Sequence, residues 1–441
     1  MRDNTTKTIF WAFLTPDYKA MIEQLEDMAR QGWMLEKINS FRAKFRAIPP
    51  QNITYYVDVF PGSGVLDADD NPRLMEYRKL CEESGWHYVT SRGHLQFFCS
   101  SPDVPAVPIQ TDLEIESNCI KSTVLRSEYL GMLLFFIYML YHVFRITRFD
   151  YRDLLTFTGI ASDYVYPFIV IPMGVWFVYI IIWHIKLVRC VKNGQPMPTP
   201  SLKSAKLRAG IIYLILAVFV IIMFLAILGD AVTGAPYVLF ALIPLPVGLM
   251  VGLGLKKFFK TSNNSKKNKV VVLISGLIAA AVLASFLTLG LLSGFLGRDY
   301  DEIEAIPADY LVLTLEDFPG YKEADIKMNS LDRHMSPIVP EQFDYWEIGE
   351  NHQSISSEYY RAVTPYFARK IFVGKLEEET RYGKMIDAPA SDWDADEAFY
   401  FRDKQQILLI KGTVVIYVDG DFDLSDPEMR NVVISKLLVK Q

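Results

Sequence analysis

Four aspartates near the carboxy terminus, Asp419, Asp421, Asp423 and Asp426, come nearest to a chemical site by type and spacing in this 441-residue chain. Alternating carboxylates in a loop can supply the six or more oxygens that Ca²⁺ takes. The EF-hand pattern nevertheless fails. Its sixth position counted from Asp419 is Leu424, where glycine is needed, and its twelfth is Arg430, where glutamate is needed. Turn acids and a helix N-cap account for the same residues, so no metal is assigned. Asp392, Asp394, Asp396 and Glu397 form a second acidic cluster that reads the same way. His334 and His352 stand alone without HExxH spacing, and the chain has no GxGxxG, Walker loop, GxSxG or CxxC. No catalytic residue and no cofactor follow from the sequence, and the chain is not read as an enzyme. Cys81, Cys99, Cys119 and Cys190 are too few for a disulfide framework and read as reduced, structural thiols.

The elements that would position any site are organised around an apolar block from Tyr129 to Leu296. Runs such as Val270–Leu296 hold no ionisable side chain and exceed the ~20 residues that cross a bilayer as a helix. Lipid offers the backbone no hydrogen-bond partner, so these runs must be helical and the chain an integral membrane protein. Five spans are expected, at 129–146, 164–186, 209–229, 235–255 and 270–296. Pro167 and Pro172 in the second, and Pro244 and Pro246 in the fourth, predict kinks. Gly248 with Gly252, and Gly290 with Gly294, have the spacing that lets helices approach closely, and packing within the chain is expected there. Ionisable residues are missing from mid-span, which argues against an ion-coupled carrier. His142 and His184, near span boundaries, read as interfacial anchors.

Before the block the chain repeats itself. Met21–Arg30 reads as an amphipathic helix, followed by Gly32-Trp33 and an extended run with Phe45 twelve residues after the Trp. Leu74–Glu83 reads as a helix, followed by Gly85-Trp86 and Phe98 at the same interval. An alternating stretch precedes each helix, Lys7–Phe13 and Tyr55–Phe60, so the unit is strand, helix, strand, strand, used twice. Each glycine falls where a helix C-cap needs positive φ, and the Trp after it would re-enter the core. The two copies are expected to pair into one mostly antiparallel sheet with both helices on one face, an α+β domain over residues 1–115.

These residues carry a resemblance. Ala29-Arg30-Gln31-Gly32-Trp33 with Phe41 and Phe45, and Glu83-Ser84-Gly85-Trp86 with Phe97 and Phe98, ahead of several membrane spans and a polar tail, resemble the bacterial domain of unknown function 2812 family. The resemblance covers about a quarter of the chain and rests on packing motifs. It implies a membrane protein of Gram-positive-type bacteria, often encoded beside a PadR-like transcriptional regulator, and supplies no activity.

Ser101–Thr111 holds three prolines and reads as an extended linker, and residues 116–128 connect it to the first span, with a helix expected over Glu114–Arg126. From Asp299 to Gln441 the chain carries 15 Lys+Arg against 29 Asp+Glu, or −14, whereas the rest has 30 against 22, or +8. The anionic segment would repel a phosphate backbone, so no nucleic acid is expected. An α+β domain is predicted there: a strand at Tyr310–Leu315, a helix over Ser356–Lys375, a hairpin of Gln406–Ile410 and Thr413–Val418 turning at Lys411-Gly412, and a Ser425-to-Glu428 capping box opening a last helix to about Val439.

The amino terminus lacks a secretory signal and is expected to stay on the side of synthesis. Loops with Arg189, Lys192, Lys203, Lys206 and Arg208, and with Lys256, Lys257, Lys260, Lys266, Lys267 and Lys269, hold no acidic residue and should be cytoplasmic. The loop after the first span, with Arg145, Arg148 and Arg152, is a mild conflict. Five crossings then leave the amino terminus inside and the acidic domain outside. The function expected is sensory or regulatory, coupling the outer domain to a cytoplasmic domain that binds a protein partner. The alternative is an accessory component of a transport or resistance system, or an envelope scaffold. An alkaline phosphatase reporter fused after Gln441 should be active in intact cells; a reporter active only in the cytosol would reverse this sidedness.

Overall fold

A computed structural model describes residues 5–39, 41–61, 63–64, 71–101, 107, 109, 112–121, 123, 126–146, 150–195, 200–261, 266–296, 305–321 and 325–438. Two units, each discontinuous in sequence, make up the fold. One comprises Met1–Tyr141, Phe168–Phe219 and Pro244–Ala284, and the other His142–Pro167, Val220–Ile243 and Ser285–Gln441.

The first unit opens with the repeat. Strand β1 (Thr6–Phe10), helix α1 (Tyr18–Arg30) and strands β2 (Trp33–Ile38) and β3 (Arg42–Ala47) are followed by β4 (Thr54–Val59), α2 (Pro72–Glu83), β5 (His87–Arg92) and β6 (Leu95–Ser100). Gly32 and Gly85 end the two helices with φ of 86° and 88°, a conformation closed to residues with a Cβ except at a cost. Phe45 pairs with Leu35 and Phe98 with Tyr88, each at the start of a register shift, so the repeat extends to a β-bulge in each copy. Those bulges explain one departure from expectation. The strands form two three-stranded sheets, ordered β1-β3-β2 and β4-β6-β5, instead of one. β2 and β5 lie beside each other, but each is a bulged edge, and a bulge breaks the ladder and twists the strand away.

One core joins the copies. Met21, Leu25 and Met28 of α1 pack with Phe45 of the first sheet and Val57 and Phe97 of the second, while Trp86 and Phe98 form a smaller cluster with Cys81. Trp33 packs half-buried against the main core. Trp183, Leu187 and Ala205, from the membrane helices, complete that core. Asp17, 1% exposed, pairs with Arg208 at 2.6 Å, and Lys206 donates to Gln24. The prolines of the linker, Pro102, Pro105 and Pro108, lie outside the described residues; α3 (Leu113–Ile120) follows, capped by Asp112. All four cysteines are free thiols.

The chain is a multi-pass membrane protein by helix length and composition. Among the described residues four segments are long and apolar enough to cross: Phe157–Lys192 (α5), Leu202–Val232 (α6), Pro236–Phe259 and Asn268–Gly294. The expected first span is not among them: over its range helix α4 runs Arg126–Ile146, with a shorter apolar stretch at Leu133–Arg145 among the described residues. Helix α5 continues through Pro167 and Pro172. Pro244 and Pro246 open α7 (Pro244–Thr261) after a 3₁₀ stretch, in the first turn where a missing N–H costs nothing. Among the described residues a Cβ at Gly248, Gly252, Gly290 or Gly294 would meet nothing within 4 Å. Close approach occurs at Gly229, against the Phe157 ring, and at Gly276 of α8 (Lys266–Leu296), against Leu255.

In the second unit a seven-stranded antiparallel sheet is ordered β10-β11-β12-β13-β9-β8-β7, from β7 (Ile326–His334), β8 (Glu341–Gly349), β9 (Ser354–Arg361), β10 (Ile386–Asp387), β11 (Glu397–Phe401), β12 (Gln406–Lys411) and β13 (Val414–Gly420). Both faces are buried. Ile407, Leu409, Val414 and Ile416 pack under Val312, Leu313 and Leu315, whereas Leu408, Ile410, Val415 and Tyr417 face α9 (Pro365–Glu379). Four expectations change here. Ser356–Arg361, the first part of the expected helix, lies in strand β9 between β8 and β13, and the helix begins only after the Thr364-Pro365 cap. Residues 310–314 are not a strand; the Leu313 N–H goes to the Ser357 hydroxyl instead of a neighbouring backbone. The hairpin turns at Gly412-Thr413, one residue later than expected, because Lys411 pairs with Val414 and Gly412 takes a φ of 57°. Asp426, not Ser425, caps α10 (Pro427–Val433), which runs on as a π-type turn to Leu438.

The junction of α5 and α6 is made by one carboxylate. Asp230, 3% exposed, accepts the Phe157 N–H at 2.6 Å, the Thr158 N–H at 3.0 Å and the Thr158 hydroxyl at 2.6 Å. It thus caps a helix that follows it in space but precedes it in the chain, and its charge sits at the positive end of the α5 dipole. Replacing Asp230 with alanine leaves those amides unpartnered and should cost about 2 kcal/mol, read as a lowered thermal midpoint of the chain in nanodiscs.

Candidate functional site

Within the second unit, one face of β8 and β9 looks onto α9, the 3₁₀ turn Tyr151–Leu154, the start of α5 and the end of α6. Together they enclose a cavity of about 400 Å³. That is the size range of small-molecule sites. The elements are drawn together by packing as well as by Asp230. Gly374 of α9 lies so close to Tyr151 that a Cβ would fall 2.5 Å from the ring, and Ser336 donates to the Leu154 carbonyl at 2.7 Å.

Strand register sets the chemistry of the wall. Across β7, β8 and β9, Asp332 pairs with Asp344 and Asp344 with Glu358, so three carboxylates stand in a row. The next row is His334, Gln342 and Tyr360. Like charges directly opposite on a sheet repel, and the fold offsets this only in part. Lys375, 6% exposed, reaches Glu358 at 2.8 Å and Glu379 at 3.5 Å. Burial alone would lower the Lys375 ammonium, but Glu358 and Glu379 more than offset it and hold the charge in place. Tyr360 donates to Glu358 at 2.7 Å. At the opposite wall Tyr151 donates to Glu378 at 2.8 Å and Arg152 reaches the same carboxylate at 2.5 Å. Burial and those glutamates push the Tyr151 and Tyr360 phenols up, so both remain donors.

Asp344 is left over. Among the described residues it has no hydrogen-bond or ion-pair partner. Burial first, then Glu358 and Asp332, push its carboxyl up to about 6, with Lys375 pulling weakly the other way. Gln342, two residues along the same face, is 8% exposed, and its Oε1 has no partner. Both residues line the cavity, and neither acceptor has a donor among the described residues.

The aspartates singled out in the sequence lie elsewhere and do not converge. Asp419 accepts from Gln406 at 2.9 Å, Asp421 from Ser354 at 2.7 Å and Asp423 from Ser425 at 2.6 Å, and Asp426 caps α10. Asp392 pairs with Arg430, Asp394 with Lys411 and Glu397 with Arg369, and Asp396 accepts the Gly412 N–H. Among the described residues no group of three or more His, Cys, Asp or Glu is placed to hold a metal. His334 lines the cavity, whereas His352 sits in a turn with a φ of 63°. Sequence reasoning passed over Gln342, Asp344, Glu358, Tyr360 and Lys375. The available signal was the spacing of two, which places Gln342 with Asp344 and Glu358 with Tyr360 on one face of each strand.

Compared with known proteins, residues 17–134 match the model of the family described as protein of unknown function (DUF2812). No curated protein and no solved structure matches the chain.

A carboxyl whose folded pKa lies above its unfolded value binds its proton more readily when folded. Its contribution to stability is therefore present below about pH 4 and lost as pH rises through about 6. Asp344→Asn should remove that loss. The variant is expected to melt higher than the wild type at pH 7.5 and close to it at pH 4, by thermal unfolding in nanodiscs; an equal difference at both would contradict the assignment.

Proposed function

We propose, from the premise that residues 17–134 belong to the DUF2812 family and that the chain crosses the membrane several times, that this is a sensory or regulatory membrane protein. In this reading the carboxy-terminal domain faces outward and accepts a small polar ligand in its cavity. The amino-terminal domain faces the cytoplasm and meets a protein partner there.

The observation that carries the reading is that two helices have chemistry at both ends. Helix α5 begins at the cavity with Thr158 and carries Trp183 and Leu187 into the amino-terminal core. Helix α6 begins with Ala205 and Arg208 on that same core and ends with Asp230 at the cavity. A ligand that binds one arrangement of these helix ends more tightly than another shifts the balance between arrangements, and it can do so only by that difference in affinity. The basic residues at the end of α5 and the start of α6, where Lys206 and Arg208 bind Gln24 and Asp17, favour a cytoplasmic amino-terminal domain.

Placing a tethered ammonium in the cavity with Asp344→Lys should alter the other end. Amide exchange across Tyr18–Arg30 of the full chain in nanodiscs is expected to change about fivefold or more, the lower range for coupled sites. Unaltered exchange there, with a folded carboxy-terminal domain, would count against the coupling.

A further inference from the structure

We propose that the ligand of this cavity is a small organic ammonium carrying at least one N–H, held by the Asp344 carboxylate and the Gln342 amide oxygen; this rests on the reading of the cavity as the ligand site. Among the carboxylates lining the cavity, Asp230 is consumed by the α5 amides, Glu378 by Tyr151 and Arg152, and Glu358 by Lys375 and Tyr360. The two lining cations, Arg152 and Lys375, are consumed by those same glutamates. One negative charge, on Asp344, remains without a counter-charge, flanked on its sheet by Asp332 and Glu358.

The second observation is independent of charge. Gln342 is more than nine-tenths buried and lines the cavity, and its amide oxygen has no donor. A buried acceptor left unmet costs about 1–3 kcal/mol, so the site favours a molecule that brings a donor. A carboxylate with an amide acceptor two residues along the same strand face suits a group that is at once positive and an N–H donor. Tyr360 and Tyr237 supply aromatic surface for its carbon atoms. A quaternary ammonium would satisfy Asp344 but not Gln342. A divalent cation would need a group of several oxygen ligands, and no such group is placed for one among the described residues.

The test uses the full chain in nanodiscs, with empty nanodiscs as reference, and n-butylammonium as the probe in a calorimetric titration. Saturable binding is expected, weakened about tenfold or more by Asp344→Asn and by Gln342→Met, the usual loss for a hydrogen bond to a charged group. On the unaltered protein, tetramethylammonium should bind at least about tenfold more weakly than n-butylammonium, and Ca²⁺ should not compete; this comparison holds even if a variant fails to fold. Absence of saturable n-butylammonium binding, equal affinity for tetramethylammonium, or competition by Ca²⁺ would each overturn the assignment. If n-butylammonium fails to bind while Asp344→Lys still alters exchange in Tyr18–Arg30, the ligand class is wrong and the coupling stands. The reverse pair of results would sink the coupling and keep the ligand.

Discussion

An apolar helix can surrender its backbone polarity everywhere except at its ends, and the structure turns on how one such end is met. The first amides of α5 have no carbonyl partner of their own in the helix. The carboxylate of Asp230 supplies the missing acceptor from the end of a different helix. The Phe157 ring then closes over Gly229, where any larger residue would collide with it. Two apolar helices that could otherwise slide against each other are thereby held at one register.

That junction is also one wall of the polar cavity, and the sheet above it obeys the opposite logic. Its central strands β12 and β13 are apolar on both faces, as a strand buried on two sides requires. Against that background the polar pairs of β8 and β9 stand out. Buried charge persists in proteins when it is paired, and Lys375 with its two glutamates follows the rule. Asp344 and Gln342 do not, and the unmet polarity of a closely accounted site is what gives the cavity its proposed ligand.

The amino-terminal domain shows what duplication does and does not preserve. Copying a strand, helix, strand, strand unit kept the glycine C-cap, the bulge and the phenylalanine opposite its start. It did not keep the way each copy buries its helix. Helix α1 sinks Met21, Leu25, Met28 and Ala29 into the shared core, whereas α2 buries only Leu74 and Cys81. The first copy forms the core that the membrane helices enter, and the second adds a sheet to it.

Local rules made much of this protein legible from its residues alone. The apolar runs, the glycines after the helices, the repeat and the β12–β13 hairpin all follow from hydropathy, chirality and turn chemistry that act within a few residues. Four of the five expected spans are long apolar helices among the described residues. Local propensity over Ser356–Arg361 is weak enough to suggest a helix, and the partner strands that make it extended come from Glu341–Gly349 and Val414–Gly420. The aspartates that looked most like a site were answered by neighbours at short range. The residues that form the cavity were invisible because their meaning lies in register: Asp344 matters only once Asp332 and Glu358 are set beside it. Lys375 is a partner only once α9 packs over β9. Charge balance in a closed space is a property of what the whole chain brings together, and only the tertiary structure could decide it.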